Sequence, residues 1–164
     1  MKTIASFEVD HDFVVPGMYI SRVDGDVVTY DLRTRRPNMG DYMSDLTMHS
    51  VEHMLATLLR NGPLAEHVIY FGPMGCQTGF YLLMRDKVEP QKVYETLCDT
   101  LAQVEEQGEM FGQNRRACGN YLNLSLDAAK EECRGYLAAL LARDRKSTRL
   151  NSSHAELSRM PSSA

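Results

Sequence analysis

The chain has 164 residues, which is enough for one domain with a hydrophobic core and too few for two full domains. Its hydrophobic fraction of 43% and its net charge of -4 at pH 7 are typical of a soluble globular protein and exclude a strongly basic nucleic-acid-binding surface. No apolar run approaches the length of a membrane span, and the first residues lack the apolar stretch of a signal peptide. We therefore expect a cytoplasmic protein without nucleic-acid or membrane partners.

Apolar and turn-forming residues follow one another in a pattern that predicts four strands and three helices. The predicted strands cover residues 18–24, 27–33, 67–71 and 80–85, and the predicted helices cover 48–60, a segment that begins at Pro90, and 128–143. Asp45 and Thr47 are candidate N-caps of the first helix, and Ser125 or Asp127 of the last. Since the first strands pair as a hairpin and helices are interspersed, we predict an α+β fold, a small antiparallel β-sheet packed against helices.

A single domain is predicted over residues 1–145, and a segment of different composition follows it. From residue 146 to 164 the apolar periodicity stops and serine dominates. This segment resembles translated vector or adapter sequence joined to the end of a gene, and the alternative is a natural disordered tail. We predict a non-native, disordered tail over residues 146–164.

The run His49-Ser50-Val51-Glu52-His53 lies in the first predicted helix. Side chains at i and i+4 share one face of a helix, so His49 and His53 can bind the same metal ion. Glu52 flanks that face and can move protons beside the metal. Histidine pairs at this spacing also occur on ordinary helix surfaces, so the run alone does not establish a metal site.

A catalytic metal site usually has three protein ligands, and the residues leave the third ligand open. His67 and His11 are possible, but Cys118 is chemically more attractive because Gly119 beside it allows close approach of the backbone. Two imidazoles and a thiolate leave a divalent ion positively charged, so it can polarise a carbonyl and stabilise an enediolate. A structural zinc site is the alternative.

The four cysteines fall into two classes. Cys98 and Cys133 lie among apolar residues at helical spacing, which predicts that they fill the core. Cys76 lies in a glycine-rich loop, where backbone amides and a nearby cation would favour the thiolate. With Glu52 as a second proton-transfer group, Cys76 as acid or base suits repeated enolisation better than a single hydrolytic attack.

Three motifs in this order resemble the S-ribosylhomocysteine lyases, the autoinducer-2 synthesis proteins called LuxS. They are the run from His49 to His53, the loop Pro73-Met74-Gly75-Cys76-Gln77-Thr78-Gly79, and Ala117-Cys118-Gly119. The segments Ser6-Phe7-Glu8-Val9-Asp10-His11 and Tyr30-Asp31-Leu32-Arg33 also resemble that family. The resemblance extends from about Ser6 to the last predicted helix.

The resemblance implies cleavage of S-ribosyl-L-homocysteine to L-homocysteine and 4,5-dihydroxy-2,3-pentanedione, the precursor of autoinducer-2, by carbonyl migration and β-elimination. Such a reaction serves the methyl cycle and quorum sensing. The family also implies a homodimer with its sites at the subunit interface.

The resemblance also assigns roles to individual residues. It implies one divalent metal per subunit, natively Fe(II) and replaceable by zinc or cobalt, held by His49, His53 and Cys118. It implies proton transfer by Cys76 and Glu52. Substrate binding is implied for Ser6, His11 and Arg33.

Two other functions compete with this one. His-x-x-Glu-His is also the signature of inverzincin-type zinc proteases, which would take a downstream glutamate such as Glu105, Glu106 or Glu109 as third ligand. A non-catalytic zinc-binding module would have a closed tetrahedral site and would unfold when the metal is removed.

Overall fold

A computed structural model describes residues 1–151 and 158–161 of the chain. Its elements in chain order are a 3-10 turn at Ala5–Phe7, β1 (Gly17–Asp24), β2 (Val27–Arg33), α1 (Asp45–Arg60), a 3-10 turn at Ala65–His67, β3 (Val68–Pro73), β4 (Gly79–Arg85), α2 (Pro90–Glu105), α3 (Leu126–Asn151) and β5 (Ser158–Arg159). The prediction of an α+β fold with a small antiparallel sheet and three helices is confirmed.

The strands form one sheet in the order β3-β4-β2-β1-β5. β1 to β4 pair in antiparallel fashion, whereas the two-residue β5 pairs in parallel with β1 at Tyr19 and Ile20. Gly25, at φ +60°, lies in the tight turn of the β1–β2 hairpin, where the left-handed conformation favours glycine. The sheet therefore combines two hairpins joined through the β2–β4 pairing.

Alternation along the strands separates the two faces of the sheet. In β2, Tyr30 and Leu32 are buried in the hydrophobic core, together with Met54 of α1 and Leu97 of α2. Residues of opposite parity point to the other face. Asp31 and Arg33 therefore lie on the face opposite to Tyr30 and Leu32. Part of the candidate site lies on this second face.

The helix boundaries differ from the predicted ones at three ends, because α1 begins earlier at Asp45, α3 begins earlier at Leu126, and α3 ends later. The N-cap of α1 is Ser44, whose Oγ accepts a hydrogen bond from the Thr47 amide at 3.1 Å, so neither predicted residue caps it. Ser125 accepts from the Ala128 amide at 3.2 Å, as a cap of α3 should. α3 continues to Asn151, eight residues beyond the predicted end, because no proline or glycine interrupts the segment after Arg143.

The predicted core cysteines lie where the apolar pattern placed them. Cys133 is 2% exposed and belongs to the core, and Cys98 packs against it. Burial raises the pKa of Cys133 to about 12 and that of Cys98 to about 11. Both thiols therefore remain protonated at neutral pH and have little nucleophilic reactivity.

Part of the predicted tail is described by the structure. Residues 146–151 continue α3, and residues 158–161 lie beside β1, where the Pro161 carbonyl accepts from the Asp10 amide at 3.0 Å. Residues 152–157 and 162–164 of that tail lie outside the described residues. That the tail is non-native stays a prediction. Within the described ranges, no helix has both the length and the apolar character needed to span a membrane.

Candidate active site

His49, His53 and Cys118 form a compact group of possible metal ligands. Their ligand atoms all lie within 4.8 Å of one another, and each residue is half-buried. α1 brings the two histidines together by its i, i+4 geometry, whereas Cys118 reaches them from the loop between α2 and α3. Among the described residues this is the one such group of three, and it contains neither His11 nor His67.

Backbone carbonyls fix the orientation of both imidazoles. His49 Nδ1 is 2.8 Å from the Asn123 carbonyl, and His53 Nδ1 is 2.8 Å from the Phe111 carbonyl. A carbonyl only accepts, so each Nδ1 carries the proton and each Nε2 keeps its lone pair for a metal. The two ring planes stand at 89° with centroids 4.7 Å apart. A hydrogen bond from Nδ1 to a carbonyl is the usual supporting contact of a histidine that binds metal through Nε2.

The ligand spacing fits a tetrahedral metal ion. A metal–nitrogen distance of about 2.1 Å and a metal–sulfur distance of about 2.3 Å place two tetrahedral ligands about 3.6 Å apart. The Cys118 Sγ lies 3.4 Å from His49 Nε2, close to that value. The residues therefore fit one divalent ion with a fourth position left for water or substrate.

The loop that carries Cys118 is shaped by Asn114. Its side-chain oxygen accepts from the amides of Arg116 and Ala117 at 3.1 and 3.0 Å, and its carbonyl accepts from the Cys118 amide at 3.1 Å. The amide of Asn120 then points at the Cys118 sulfur from 3.4 Å. A donor to the sulfur stabilises a thiolate, which is the form that binds metal.

A second group of predicted site residues lines a cavity of about 300 Å³ on the face of the sheet that carries Arg33. The predicted members of its lining are Ser6, His11, Arg33 and Cys76. The N-terminal segment forms one wall and the Cys76 loop another. The structure thus brings together the four residues that came from three distant parts of the sequence.

A buried ion pair forms the floor of this cavity. Arg33 binds Asp31 through two parallel hydrogen bonds, Nε to Oδ1 at 3.1 Å and Nη2 to Oδ2 at 2.5 Å, and both residues are 2% exposed. Burial raises the pKa of Asp31, and the charge of Arg33 opposes that rise. The paired carboxylate holds the guanidinium in one orientation, with Nη1 directed toward the Cys76 loop.

Cys76 lies at the tip of the β3–β4 turn and is exposed to the cavity. Its Sγ is 3.0 Å from Thr78 Oγ1 and 3.8 Å from Arg33 Nη1. The next residue, Gln77, has φ +65°, a left-handed conformation that is uncommon for residues other than glycine. The Gln77 carbonyl accepts from the Met43 amide at 3.0 Å, so the turn is anchored to the segment before α1.

The group of metal-ligand candidates and the residues of the cavity occupy different parts of the chain. The lining of the cavity includes none of the three metal-ligand candidates. Glu52 is half-buried on α1 between the two histidines, and it does not line that cavity either. Among the described residues, the cavity that contains Cys76 is therefore not lined by the two histidines.

Several residues that support the site were given no role by the sequence alone. Asp31 and Tyr81 line the cavity, and Thr78 borders it through its hydrogen bond to Arg33. The one sequence signal for a role of Asp31 or Thr78 is its closeness to Arg33 or Cys76 in the chain. The carbonyls of Phe111 and Asn123 have no signal in the sequence, because every residue has a carbonyl.

The geometry can be compared with known proteins. A family model described as S-Ribosylhomocysteinase (LuxS) matches residues 4–147. The chain belongs to this family. The S-ribosylhomocysteine lyase of Clostridium beijerinckii is 40% identical over 147 residues, which cover 86% of this chain and 92% of the relative. That of Phocaeicola vulgatus is 40% identical over 86% and 91%, and that of Clostridium acetobutylicum 43% identical over 79% and 85%.

Membership of the S-ribosylhomocysteinase (LuxS) family confirms the predicted resemblance, and the match spans both groups of site residues. The zinc-protease alternative is not favoured. The third member of the metal group is Cys118, and the carboxylate of Glu105 instead binds Arg134 at 2.7 and 2.9 Å.

Proposed function

We propose that the protein is a metal-dependent lyase that cleaves S-ribosyl-L-homocysteine to L-homocysteine and 4,5-dihydroxy-2,3-pentanedione. The observation that carries the proposal is the group of two histidines and one cysteine that could bind a metal ion. The chain belongs to the S-ribosylhomocysteinase (LuxS) family, and its relatives are named S-ribosylhomocysteine lyase. The reaction would serve the methyl cycle and supply the autoinducer-2 precursor for quorum sensing. We propose a cytoplasmic location.

His49, His53 and Cys118 would hold one divalent ion per subunit, natively Fe(II), with zinc or cobalt able to replace it. The donor set of two neutral imidazoles and one thiolate accepts all three metals. The bound ion would polarise the sugar carbonyl and so acidify the neighbouring C–H bond. The carbonyls of Asn123 and Phe111 keep both imidazoles in the tautomer that can bind it.

The residues of the cavity would bind the sugar and move its protons. Ser6 and His11 offer a hydroxyl and an imidazole to the sugar hydroxyls, and Arg33 offers a fixed cation below them. Cys76 would remove a proton from one carbon and return it to the next as the carbonyl migrates, and Glu52 would serve the second proton transfer. Loss of a proton beside the carbon that bears sulfur then expels homocysteine by β-elimination.

We further propose that the active form is a homodimer with its sites at the interface. The proposal is supported by the separation of the cavity from the metal group within one subunit, since a second copy can bring one group to the other. It is also supported by large apolar side chains near the N-terminal wall of the cavity. Phe7 is 75% exposed and Phe13 is 72% exposed, as expected for residues that a partner would cover.

The experiment that tests the function measures release of homocysteine thiol from S-ribosylhomocysteine by anaerobically purified protein loaded with ferrous or cobalt ion. We expect release that requires the metal and is lost in Cys76→Ala. Cys98→Ala is the matched control, because it removes a thiol that packs against the core and should retain turnover. A folded, metal-loaded dimer that releases no homocysteine would refute the proposed function. Full activity of Cys76→Ala would refute the role of the thiol.

A further inference from the structure

The hydroxyl of Thr78 is the buried group that joins Arg33 to Cys76. Thr78 is 1% exposed. Its Oγ1 lies 2.8 Å from Arg33 Nη1 and 3.0 Å from Cys76 Sγ. Together with the Asp31–Arg33 pair, this contact makes a continuous chain of hydrogen bonds from a buried carboxylate to the thiol of the cavity.

The direction of each hydrogen bond in this chain follows from the chemistry of its donor. A guanidinium only donates, so the Thr78 oxygen must accept from Arg33 Nη1. The single hydroxyl proton of Thr78 then points elsewhere, and the Cys76 sulfur is an acceptor within reach at 3.0 Å. A thiol that donated to Thr78 instead would leave the hydroxyl proton without this acceptor, which is costly because the Thr78 side chain is buried.

The backbone of Thr78 is fixed so that the hydroxyl cannot turn away at low cost. Its carbonyl accepts from the amides of Thr34 and Arg35, each at 3.0 Å, and from the Thr34 hydroxyl at 3.3 Å. The side chain is β-branched, which restricts its rotamers further. Thr78 is therefore held between a cation on one side and a sulfur on the other.

We propose that Thr78 is a positioning residue whose hydroxyl donates to the Cys76 sulfur, which orients the sulfur toward the cavity and stabilises its thiolate form over its thiol form. Thr78 acts through Cys76 and need not contact the substrate. The inference rests on the proposed function for its catalytic consequence, because a thiolate is the form of Cys76 that accepts a proton from the sugar.

Other charged and titratable groups also surround Cys76, and the test must separate Thr78 from them. They are Arg33 and Asp31 of β2, Tyr81 of β4, His11 of the N-terminal segment, and Asp45 of α1 beside Gln77. Removing the Thr78 hydroxyl leaves all of these in the sequence, whereas replacing Arg33 would also leave Asp31 buried and unpaired.

The test follows the rate at which iodoacetamide alkylates Cys76 in zinc-loaded protein as the pH is raised, measured on the Cys76 peptide by mass spectrometry. In Thr78→Val we expect the midpoint of the pH profile to move up by about one pH unit or more, as for loss of a hydrogen bond to a charged group. Thr78→Ser keeps a hydroxyl and should return the midpoint to that of the parent. Thr100→Val is the matched control, since Thr100 is also buried and its hydroxyl donates to the Thr96 carbonyl at 2.7 Å, on α2.

An unchanged midpoint in Thr78→Val, or an equal shift in Thr100→Val, would overturn the proposal. If Thr78→Val does not fold, Thr78→Ala removes the same hydroxyl with a smaller side chain, and an unchanged midpoint in Thr78→Ala overturns the proposal.

The substrate assay separates this inference from the proposed function. If the lyase assignment is correct, Thr78→Val releases homocysteine more slowly at neutral pH and recovers toward the parental rate as the pH rises. A midpoint shift in Thr78→Val, together with a parent that releases no homocysteine, would support the role of Thr78 and refute the lyase function. An active parent with no midpoint shift in Thr78→Val would support the lyase function and overturn the role of Thr78.

Discussion

Replacement of Gly112 by alanine should weaken metal binding, although Gly112 is not itself a candidate metal ligand. Gly112 follows Phe111, whose carbonyl orients His53, and it has φ +69°. A Cβ at this position would lie 3.1 Å from His53 Nδ1 and 3.3 Å from its Cε1, closer than ordinary van der Waals contact. The imidazole or the loop must therefore shift by a few tenths of an ångström, at the hydrogen bond that fixes the ring.

The expected effect has two parts that can be separated. The left-handed backbone costs alanine about 1 kcal/mol of folding stability relative to glycine. The displaced ring should in addition lower metal affinity by about 10- to 100-fold, the range found when supporting contacts of a ligand are lost. A tenfold loss of affinity corresponds to about 1.4 kcal/mol.

Gly40→Ala is the matched control for this prediction. Gly40 has φ +78°, and a Cβ there would meet no heavy atom within 4 Å. Urea unfolding of the metal-free proteins should show a similar loss of stability in both variants. Cobalt titration against a competing chelator should show weaker binding in Gly112→Ala alone. Equal cobalt affinity in the two variants would refute the argument that the Gly112 contact fixes His53.

Two further predictions concern the core that supports the site. Ser50 is fully buried on α1, where its Oγ donates to the Leu46 carbonyl at 2.6 Å and accepts from the Ser125 amide at 2.8 Å. Ser50→Ala leaves that amide without its acceptor, so urea unfolding should show a loss of about 1–3 kcal/mol, and a change below experimental error would contradict this account. The raised pKa of Cys133, about 12 against an ordinary value of 9.0, means that its neutral thiol contributes stability below pH 9 that is lost as the pH rises toward 12. Between pH 9 and about 10.5, ionisation of this thiol in the unfolded chain should lower the unfolding free energy by at most about 1.4 kcal/mol per pH unit. The unfolding free energy of Cys133→Ala should therefore fall less steeply with pH than that of the parent. Parallel pH profiles of the two proteins would show that the thiol does not titrate on unfolding.

The sequence was sufficient to predict features that depend on local geometry. The pairing of His49 with His53 follows from helix periodicity alone, and the hairpins follow from alternation and turn residues. The third ligand was not decided by the residues, because Cys118 reaches α1 from a loop 65 positions after His53 and the spacing carries no information on that contact. The chemistry of its neighbours favoured Cys118 over His67 and His11, and the resemblance to a family then selected it.

Other features were missed because their physical basis is not a side-chain pattern. The carbonyls that orient the imidazoles are backbone groups. Ser44 was passed over as the cap of α1 because Asp45 and Thr47 are equally good capping residues, and the choice depends on where the chain enters the helix. The extension of α3 was missed because a serine-rich segment weakens helix propensity without ending a helix, while packing of Ser147, which is 6% exposed, supports the added turns.

The arrangement of the sheet explains why the two groups of site residues are separated within one chain. α1 carries the histidines and packs its apolar side chains against the core, whereas Arg33 lies on the opposite face of β2. Period-two alternation prevents a residue of that face from also pointing toward α1. In the proposed lyase, Cys76 and a metal ion bound by the α1 histidines would have to reach the same sugar. Either the Cys76 turn reaches around the end of the sheet, or a second subunit presents its own group, and the homodimer proposed above is the second solution.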